Sequence, residues 1–201
     1  KNTIQYCVVG LSHKNADLAT RGNFSLDKRQ TESLLAQAKV DGVEELMVIS
    51  TCNRTELMGI VHDPKILIYY LCSFSGGDVS LFIEKGYVLS DLEALDHVFR
   101  LGCGLESQII GDFEIIGQLK RAFSNSKKQQ IVNGFSERLV NAVIQSSKRI
   151  KTETHLSSGA TSVSFASVHY ILQNVEQVSQ KNILLSRSRP PQAHPPTSQP
   201  R

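Results

Sequence analysis

A polar pentapeptide that contains a cysteine lies between two apolar runs. Its sequence is Ser50-Thr51-Cys52-Asn53-Arg54, and the flanking runs, 45–49 and 55–61, have the composition of β-strands. A positive charge two residues away and a turn rich in backbone N–H groups both favour the thiolate, the form of cysteine that attacks carbonyl carbon. Most free cysteines are instead small buried hydrophobic residues. The local residues therefore leave two interpretations of Cys52 open, a nucleophile and a core residue.

Three motifs resemble those of one enzyme family, glutamyl-tRNA reductase. The stretch 50–56 is similar to the family's signature, and 9–16 is similar to its amino-terminal motif. The segments 104–107 and 117–120 are similar to parts of its second active-site segment. The similarity covers about 6–185, and the motifs occur in the family's order. The resemblance predicts the catalytic domain of an enzyme that opens the five-carbon route to tetrapyrroles.

The resemblance implies covalent catalysis. In this family a cysteine attacks the ester that joins glutamate to tRNA, and hydride from NADPH then releases glutamate-1-semialdehyde from the thioester. Cys52 matches the nucleophile. His97 matches a histidine that would assist proton transfer or polarise the carbonyl. Without that match, His97 would be interpreted as a half-exposed helix residue with no special task.

The residues beside Cys52 have the chemistry to bind a glutamyl group. The planar guanidinium of Arg54 can pair bidentately with the side-chain carboxylate of the substrate. The alternative for Arg54 is a surface salt bridge with Glu56, two residues further along the strand. Thr51 and Asn53 can donate side-chain or backbone hydrogen bonds to the reacting carbonyl. We therefore expect Thr51, Asn53 and Arg54 to bind substrate.

The second active-site segment supplies further candidates. Ser107 and Gln118 match substrate-contacting positions of the family; otherwise they would be a helix cap and a solvated helix residue. The sequence departs from the family at Asp112-Phe113-Glu114, where Glu-Pro-Gln is typical. Asp112 and Glu114 can still hold the α-ammonium group of the substrate through charge-assisted hydrogen bonds. We therefore expect this tripeptide to contribute to the substrate site.

The order of elements up to residue 89 predicts an α+β fold. Its β-α-β-β-α-β order is that of a ferredoxin-like split βαβ sandwich, an antiparallel sheet with both helices on one face. The resemblance implies the same fold. Strands are expected at 4–11, 45–50, 55–62 and 82–89, a polar loop at 12–23, and helices that begin at Ser25 or Asp27 and at Asp63-Pro64.

From Ser90 onward the pattern becomes helical. Ser90 and Glu93 predict a capping box. We divide the chain into a catalytic domain, 1–156, with a ferredoxin-like part (1–89) and a helical part (90–156), followed by the start of a long linker helix, 157–180. Two predicted helical faces within the helical part are Ile109, Phe113, Ile116 and Phe123, and Phe135, Leu139, Val143 and Ile150.

The segment 181–201 begins like the first strand of an NADPH-binding domain but continues without the expected glycine-rich turn. Five of the six prolines lie in it, a composition that predicts disorder. We expect the NADPH-binding and dimerisation domains to be missing, so that this chain binds no cofactor and lacks reductase activity. The full-length enzyme would use NADPH, form a homodimer and partner glutamate-1-semialdehyde aminomutase.

Composition predicts a cytoplasmic protein of 201 residues without a membrane segment, because no apolar run approaches the roughly 20 residues that span a bilayer. The four cysteines and six histidines show no metal-binding spacing. Without the arginines at 187, 189 and 201, 19 basic residues balance 19 acidic ones. Binding of nucleic acid therefore needs a local patch such as 148–151, which is otherwise a solvated face.

Two other functions stay open. A ferredoxin-like core can serve as an RNA-binding module, although the strands 4–11 and 45–50 offer only Tyr6 for stacking bases. A structural fragment with inert cysteines would react slowly and equally at all four thiols.

Overall fold

The computed structural model of the chain describes residues 4–154, 156 and 163–182, which form a four-stranded sheet with helices on both faces. The strands are β1 (Gln5–Ser12), β2 (Glu45–Ser50), β3 (Arg54–Val61) and β4 (Tyr87–Ser90). The helices are α1 (Leu18–Asn23), α2 (Lys28–Val40), α3 (Lys65–Ser75), α4 (Val79–Lys85), α5 (Asp91–Gly102), α6 (Glu114–Lys128), α7 (Gly134–Glu153) and α8 (Val163–Asn174).

The sheet has the strand order β2-β3-β1-β4, and every neighbouring pair is antiparallel. The central strand β1 therefore separates β3 from β4. Its Gly10 lies opposite Glu56 of β3 on one side and opposite Tyr87 of β4 on the other. This topology confirms the predicted ferredoxin-like α+β fold.

The helices α2 and α3 cover one face of the sheet, as predicted. α2 begins at a capping box, in which the Asp27 side chain accepts from the backbone N–H of Gln30 at 2.8 Å and the Gln30 side chain accepts from that of Asp27 at 2.8 Å. α3 follows Pro64 and ends at Gly76, which adopts a φ of 80°. Their apolar side chains bury the core on this face, among them Leu34, Leu35, Ala38, Leu67, Tyr70 and Leu71 against Val9, Leu11, Val48 and Leu57.

The helices α5, α6 and α7 cover the opposite face. The sequence predicted these helices but did not indicate where they pack. The side chains of β1, β2 and β3 alternate between the two faces, so each strand contributes to both cores. The second core contains Tyr6, Val8, Met47, Ile49 and Met58 from the sheet and Ala94, Val98, Leu101, Ile115, Leu119, Leu139 and Val143 from the helices.

Two predictions between the strands were wrong. Residues Leu18–Asn23 form α1 rather than a loop, because the side chain of Asp17 accepts from the backbone N–H of Thr20 at 2.7 Å and caps the helix. The strand predicted at 82–89 is also shorter than expected. Phe82 lies in α4, which Asp78 caps, and only Tyr87–Ser90 pair with β1.

Two predictions in the helical part need correction. Ser90 occupies the N-cap of α5 but makes no capping hydrogen bond through its side chain, so the capping box is absent there. Ile109 and Phe113 precede α6 instead of lying on it. The buried side chains of α6 are Ile115, Leu119, Ala122 and Ser126, and none of them belongs to the predicted face.

The predicted linker helix, 157–180, lies partly outside the described residues, and the segment 181–201 lies almost wholly outside them. Those two boundaries stay predictions. Among the described residues, no helix combines the length and the apolar character needed to cross a bilayer.

Candidate active site

Cys52 lies in the short turn that joins β2 to β3, and Thr51 holds that turn together. The backbone N–H of Thr51 donates to the carbonyl oxygen of Arg54 at 2.8 Å. The Thr51 hydroxyl oxygen accepts from the backbone N–H groups of Asn53 and Arg54, both at 3.2 Å. The hydroxyl of Thr51 is therefore used within the turn, where it fixes the backbone on both sides of Cys52.

The Cys52 thiol is exposed, whereas Cys7, Cys72 and Cys103 are buried. Burial raises the pKa of each of these three thiols. Of the two interpretations of Cys52, the structure therefore excludes the core residue. The accessible sulfur is the one that the nucleophile interpretation requires.

Two segments outside the turn hold its backbone. The Arg21 side chain donates from Nε to the carbonyl oxygen of Cys52 at 3.0 Å. The backbone N–H of His13 donates to the carbonyl oxygen of Asn53 at 2.8 Å. Burial, together with the charges of Arg54, Lys14 and Arg21, lowers the pKa of His13. The motif at 9–16 thus contacts the Cys52 turn through the backbone of His13.

Arg54 is buried, with 2% of its surface exposed. Its Nη1 donates to Glu56 Oε1 at 2.7 Å, and its Nη2 donates to the carbonyl oxygen of Glu106. The sequence left open a surface salt bridge between Arg54 and Glu56. The pair is present, but it is inside the protein, where an ion pair is far less screened by water than on the surface.

Glu56 connects Arg54 to His97. Its Oε1 lies 3.1 Å from His97 Nε2 and also accepts a hydrogen bond from the Tyr87 hydroxyl. Burial alone would raise the pKa of Glu56, but the hydrogen bonds and charges of His97, Arg54 and Tyr87 outweigh burial and lower it to about 2. Glu56 is therefore ionised at neutral pH.

The segment 103–113 closes over Arg54 from the end of α5. Glu106 accepts hydrogen bonds from Lys14 and, at 2.9 Å, from Arg100 Nε. These two cations lower the pKa of Glu106 against the opposing effect of burial. The Glu106 side chain thus ties the segment to the motif at 9–16, while its backbone carbonyl contacts Arg54.

The remaining predicted residues of this segment stabilise its own conformation. The Ser107 hydroxyl donates to the carbonyl oxygen of Asp112 at 3.4 Å. Asp112 Oδ1 accepts from the backbone N–H of Glu114 at 2.9 Å, at the start of α6. The ring of Phe113 lies 5.7 Å from the Lys151 ammonium group. The side chain of Glu114 is exposed.

Gln118 lies on α6 and lines a cleft with Thr51. The cleft has a volume of about 260 Å³ and lies between the start of α2, the end of β2 and α6. It contains two cations, Lys28 and Arg121, beside hydroxyl and amide groups. Gln118 therefore lines the same cleft as Thr51 of the cysteine turn, whereas Arg54 and His97 contact Glu56.

The structure brings five of the predicted site residues together, four of them around the connection between β2 and β3 and the fifth, His97, through Glu56. Cys52, Thr51, Asn53 and Arg54 share one turn, and Arg54 is linked through Glu56 to His97. Sequence analysis named Glu56 as a surface partner of Arg54 but did not predict that Glu56 is buried or that it links Arg54 to His97. The sequence did contain a signal for Glu56. Side chains alternate along a strand, so Glu56 lies on the same side of β3 as Met58 and Ile60, which face the helices. A carboxylate on that side must be buried, and buried carboxylates are paired.

Two cations of the basic stretch 148–151 have partners within the chain. Arg149 Nε and Nη2 donate to Glu153 at 3.0 and 3.2 Å, and Lys151 lies over Phe113. Arg149 and Lys151 are both exposed, so a solvated face and a contact with nucleic acid both stay open for this stretch.

The fold and the turn define an α+β domain of the ferredoxin-like class that presents an exposed cysteine. A family model described as "Glutamyl-tRNAGlu reductase, N-terminal domain" matches residues 9–154. The chain belongs to this family of reductase N-terminal domains.

Relatives with assigned names agree with the family match. The chain is 56% identical over 180 residues to glutamyl-tRNA reductase 2 of Flavobacterium johnsoniae, covering 90% of this chain and 42% of the relative. It is 55% identical over 180 residues to glutamyl-tRNA reductase of Christiangramia forsetii, covering 90% of this chain and 43% of the relative. It thus spans less than half the length of the curated relatives it matches.

A solved structure, glutamyl-tRNA reductase from Methanopyrus kandleri, has the same fold. The TM-score is 0.67 at 23% sequence identity, and the match covers 84% of this chain and 39% of that one. At this identity the likeness establishes the fold alone.

The described residues do not fit NADPH. A dinucleotide site needs a parallel strand that runs through a glycine-rich turn into a helix N-terminus. All strand pairs of the described sheet are antiparallel, and β1 ends at Ser12-His13-Lys14 with no such turn.

Proposed function

We propose that this chain is the acyl-accepting domain of a glutamyl-tRNA reductase, in which Cys52 takes the glutamyl group from tRNA. Cys52 gives up its thiol proton, the resulting thiolate attacks the ester carbonyl, the bond to the ribose oxygen breaks, and that oxygen leaves with the proton. The product is a thioester on Cys52 and a free tRNA 3′ end. The single observation that supports this proposal is the exposed thiol of Cys52. It lies in a polar turn that hydrogen bonds hold in place, beside a buried cluster of Arg54, Glu56 and His97.

The proposed substrate residues have distinct duties. Thr51 holds the turn, in which the backbone N–H groups of Thr51, Asn53 and Arg54 are already bonded, and the side-chain amide of Asn53 is proposed to donate to the reacting carbonyl. His97 assists proton transfer to the leaving oxygen. Ser107, Asp112, Phe113, Glu114 and Gln118 are proposed to contact the glutamyl group from the α6 side of the site.

Arg54 is proposed to recognise the side-chain carboxylate of the glutamyl group. A guanidinium has five N–H donors, and Glu56 and the Glu106 carbonyl take two of those of Arg54. With 2% of its surface exposed, Arg54 can meet a substrate only when the 103–113 segment shifts away from it. Recognition at Arg54 therefore implies that this segment moves when the glutamyl group binds.

The use of the sheet as an RNA-binding platform is not supported by the structure. Such a platform stacks bases on aromatic side chains of an open sheet face. Here both faces are covered by helices. Tyr6, the aromatic residue considered for this role, is 6% exposed and packs on Phe135 with ring centroids 5.2 Å apart.

The test is acyl transfer from glutamyl-tRNA carrying labelled glutamate. We expect the wild-type chain to form a labelled protein and, because no hydride donor is present, to release free glutamate slowly by hydrolysis. Cys52→Ser should abolish both signals. Cys72→Ala, a change at a buried thiol, should keep them. Equal labelling of wild type and Cys52→Ser would refute the proposal.

The whole reductase is a wider proposal. We propose that the longer protein reduces the thioester with NADPH to glutamate-1-semialdehyde for tetrapyrrole synthesis in the cytoplasm. The homodimer and the partnership with glutamate-1-semialdehyde aminomutase stay predictions.

A further inference from the structure

Gly10, in the central strand of the sheet, leaves room for the polar side chains of Glu56 and Tyr87 on the two neighbouring strands. Gly10 of β1 lies in register with Glu56 of β3 and with Tyr87 of β4. A Cβ atom at Gly10 would lie 2.8 Å from Glu56 Cγ and 3.0 Å from Glu56 Cα. Both distances are well below ordinary carbon contacts of about 3.5–4.0 Å. The missing side chain of Gly10 is what allows Glu56 and Tyr87 to meet across the central strand.

One oxygen atom of Glu56 receives three partners. Arg54 Nη1 lies at 2.7 Å, His97 Nε2 lies at 3.1 Å, and the Tyr87 hydroxyl also donates to it. The other oxygen, Oε2, is buried and has no partner among the described residues. The Glu56 side chain is 0% exposed. A buried carboxylate is costly to maintain, and three donors on a single oxygen fix its position.

We propose that Glu56 is the positioning residue of the site: from a slot over Gly10, it holds Arg54 and the His97 ring in the orientations needed for acylation of Cys52. This inference rests on the proposed function and gives a role in the site to Glu56, which the sequence analysis considered only as a surface partner of Arg54. Glu56 touches no reacting atom and acts only through Arg54 and His97.

The contact with Glu56 also selects the tautomer of His97. An ionised carboxylate can only accept hydrogen bonds, so His97 must carry its proton on Nε2. In the neutral ring, Nδ1 then has the free lone pair. His97 can therefore accept a proton only through Nδ1, and Glu56 determines which nitrogen is available to the reaction.

The test compares Glu56→Gln and Tyr87→Phe with the wild-type chain. The control is Glu137→Gln, which alters an exposed ion pair with Lys127 on α6 and α7. Single-turnover acylation of Cys52 by labelled glutamyl-tRNA gives the rate, and filter binding gives the affinity for tRNA. We expect a fall on the order of 100-fold in the rate for Glu56→Gln, because small misplacements of catalytic groups cost about that much.

The other variants should lose less of the acylation rate than Glu56→Gln does. Tyr87→Phe removes one of three donors, and the loss of one hydrogen bond, on the order of 1 kcal/mol, corresponds to a roughly fivefold slower rate. Glu137→Gln should match wild type. The affinity for tRNA should change less than about twofold in all variants, because a positioning residue affects the chemical step.

A second readout separates positioning from a merely structural role. The ring nitrogen NMR shifts of His97 at pH 8 should report the Nε2–H tautomer in wild type and a mixture in Glu56→Gln, with both proteins folded by circular dichroism. Wild-type acylation by Glu56→Gln, or an unchanged His97 tautomer in a slow Glu56→Gln, would overturn the inference. If wild type itself forms no acyl-enzyme, the proposed function fails, and the tautomer experiment still decides whether Glu56 orients His97.

Discussion

Replacing Gly10 by alanine should damage both the fold and the site, because there is no space for a methyl group at this point of the sheet. The new Cβ would lie 2.8 Å from Glu56 Cγ, and it would lie closer still to the carbonyl oxygen of Thr55. Strands β1 and β3 would have to separate locally, or the Glu56 side chain would have to leave its slot.

The expected cost follows from these contacts. Insertion of a methyl group into a packed core costs about 1–3 kcal/mol, and a clash with backbone belongs near the upper end. Alanine also restricts the unfolded chain more than glycine does, which stabilises the folded state by about 0.4–1 kcal/mol. The free energy of unfolding should therefore fall by about 2 kcal/mol, which lowers the urea midpoint by roughly 0.8 M at an m-value of about 2.5 kcal/mol/M.

Two matched glycines serve as controls. A Cβ at Gly59 would meet the carbonyl oxygen of Glu45 and Leu46 Cδ1, the latter at 3.1 Å, so Gly59→Ala should destabilise similarly but away from Glu56. A Cβ at Gly117 of α6 would come no nearer than 3.8 Å to Arg121 Nη1. Gly117→Ala should therefore stabilise the chain by roughly 0.5–1 kcal/mol.

The assay combines urea unfolding, followed by circular dichroism, with acylation of Cys52 per folded molecule. Gly10→Ala should lower both quantities, whereas Gly59→Ala should lower stability alone. A Gly10→Ala chain with the wild-type midpoint would refute the packing argument. Equal acylation by the two variants would refute the link between Gly10 and the site.

Two further predictions concern the ionisable groups. Iodoacetamide at neutral pH should modify Cys52 first, because Cys7, Cys72 and Cys103 are buried and burial raises their pKa; equal labelling of all four thiols would contradict the site. The pKa of Glu56 is lowered to about 2, so its contribution to stability is complete above the unfolded value near 4.3 and is lost as the pH falls toward 2. Between pH 4 and pH 2 the unfolding free energy of wild type should thus fall more steeply than that of Glu56→Gln, by up to about 1.4 kcal/mol per pH unit, and parallel curves would show that Glu56 is not paired as described.

Local patterns in the sequence were sufficient to predict the antiparallel sheet and the helices α2 and α3 that cover one of its faces. The cap at Asp27 and the two strands around Cys52 have local causes, so the ferredoxin-like topology followed from them, although α1 and α4 were not predicted. The covering of the second face by α5–α7 could not be predicted. The strands β1, β2 and β3 carry apolar residues on both sides, and this pattern shows that both faces are buried without showing which helices bury them.

The same limit applies to the site. The turn around Cys52 is contiguous in the sequence, and its members were recognised together. The contacts from Arg54 to Glu106 and from Glu56 to His97 and Tyr87 span 31 to 52 positions in the chain. Such pairings depend on strand register and helix packing. Sequence spacing therefore assigned Arg54 a partner in the substrate but did not reveal how completely the protein itself surrounds it.

Intact-protein mass spectrometry after acid quenching, followed by peptide mapping, tests the central claim most directly. The chain would be mixed with glutamyl-tRNA and stopped within one turnover. We predict a single glutamyl adduct, located on Cys52, that hydroxylamine removes as expected for a thioester. Unmodified protein at every time, or an adduct on another residue, would contradict the assignment of Cys52 as the acyl acceptor.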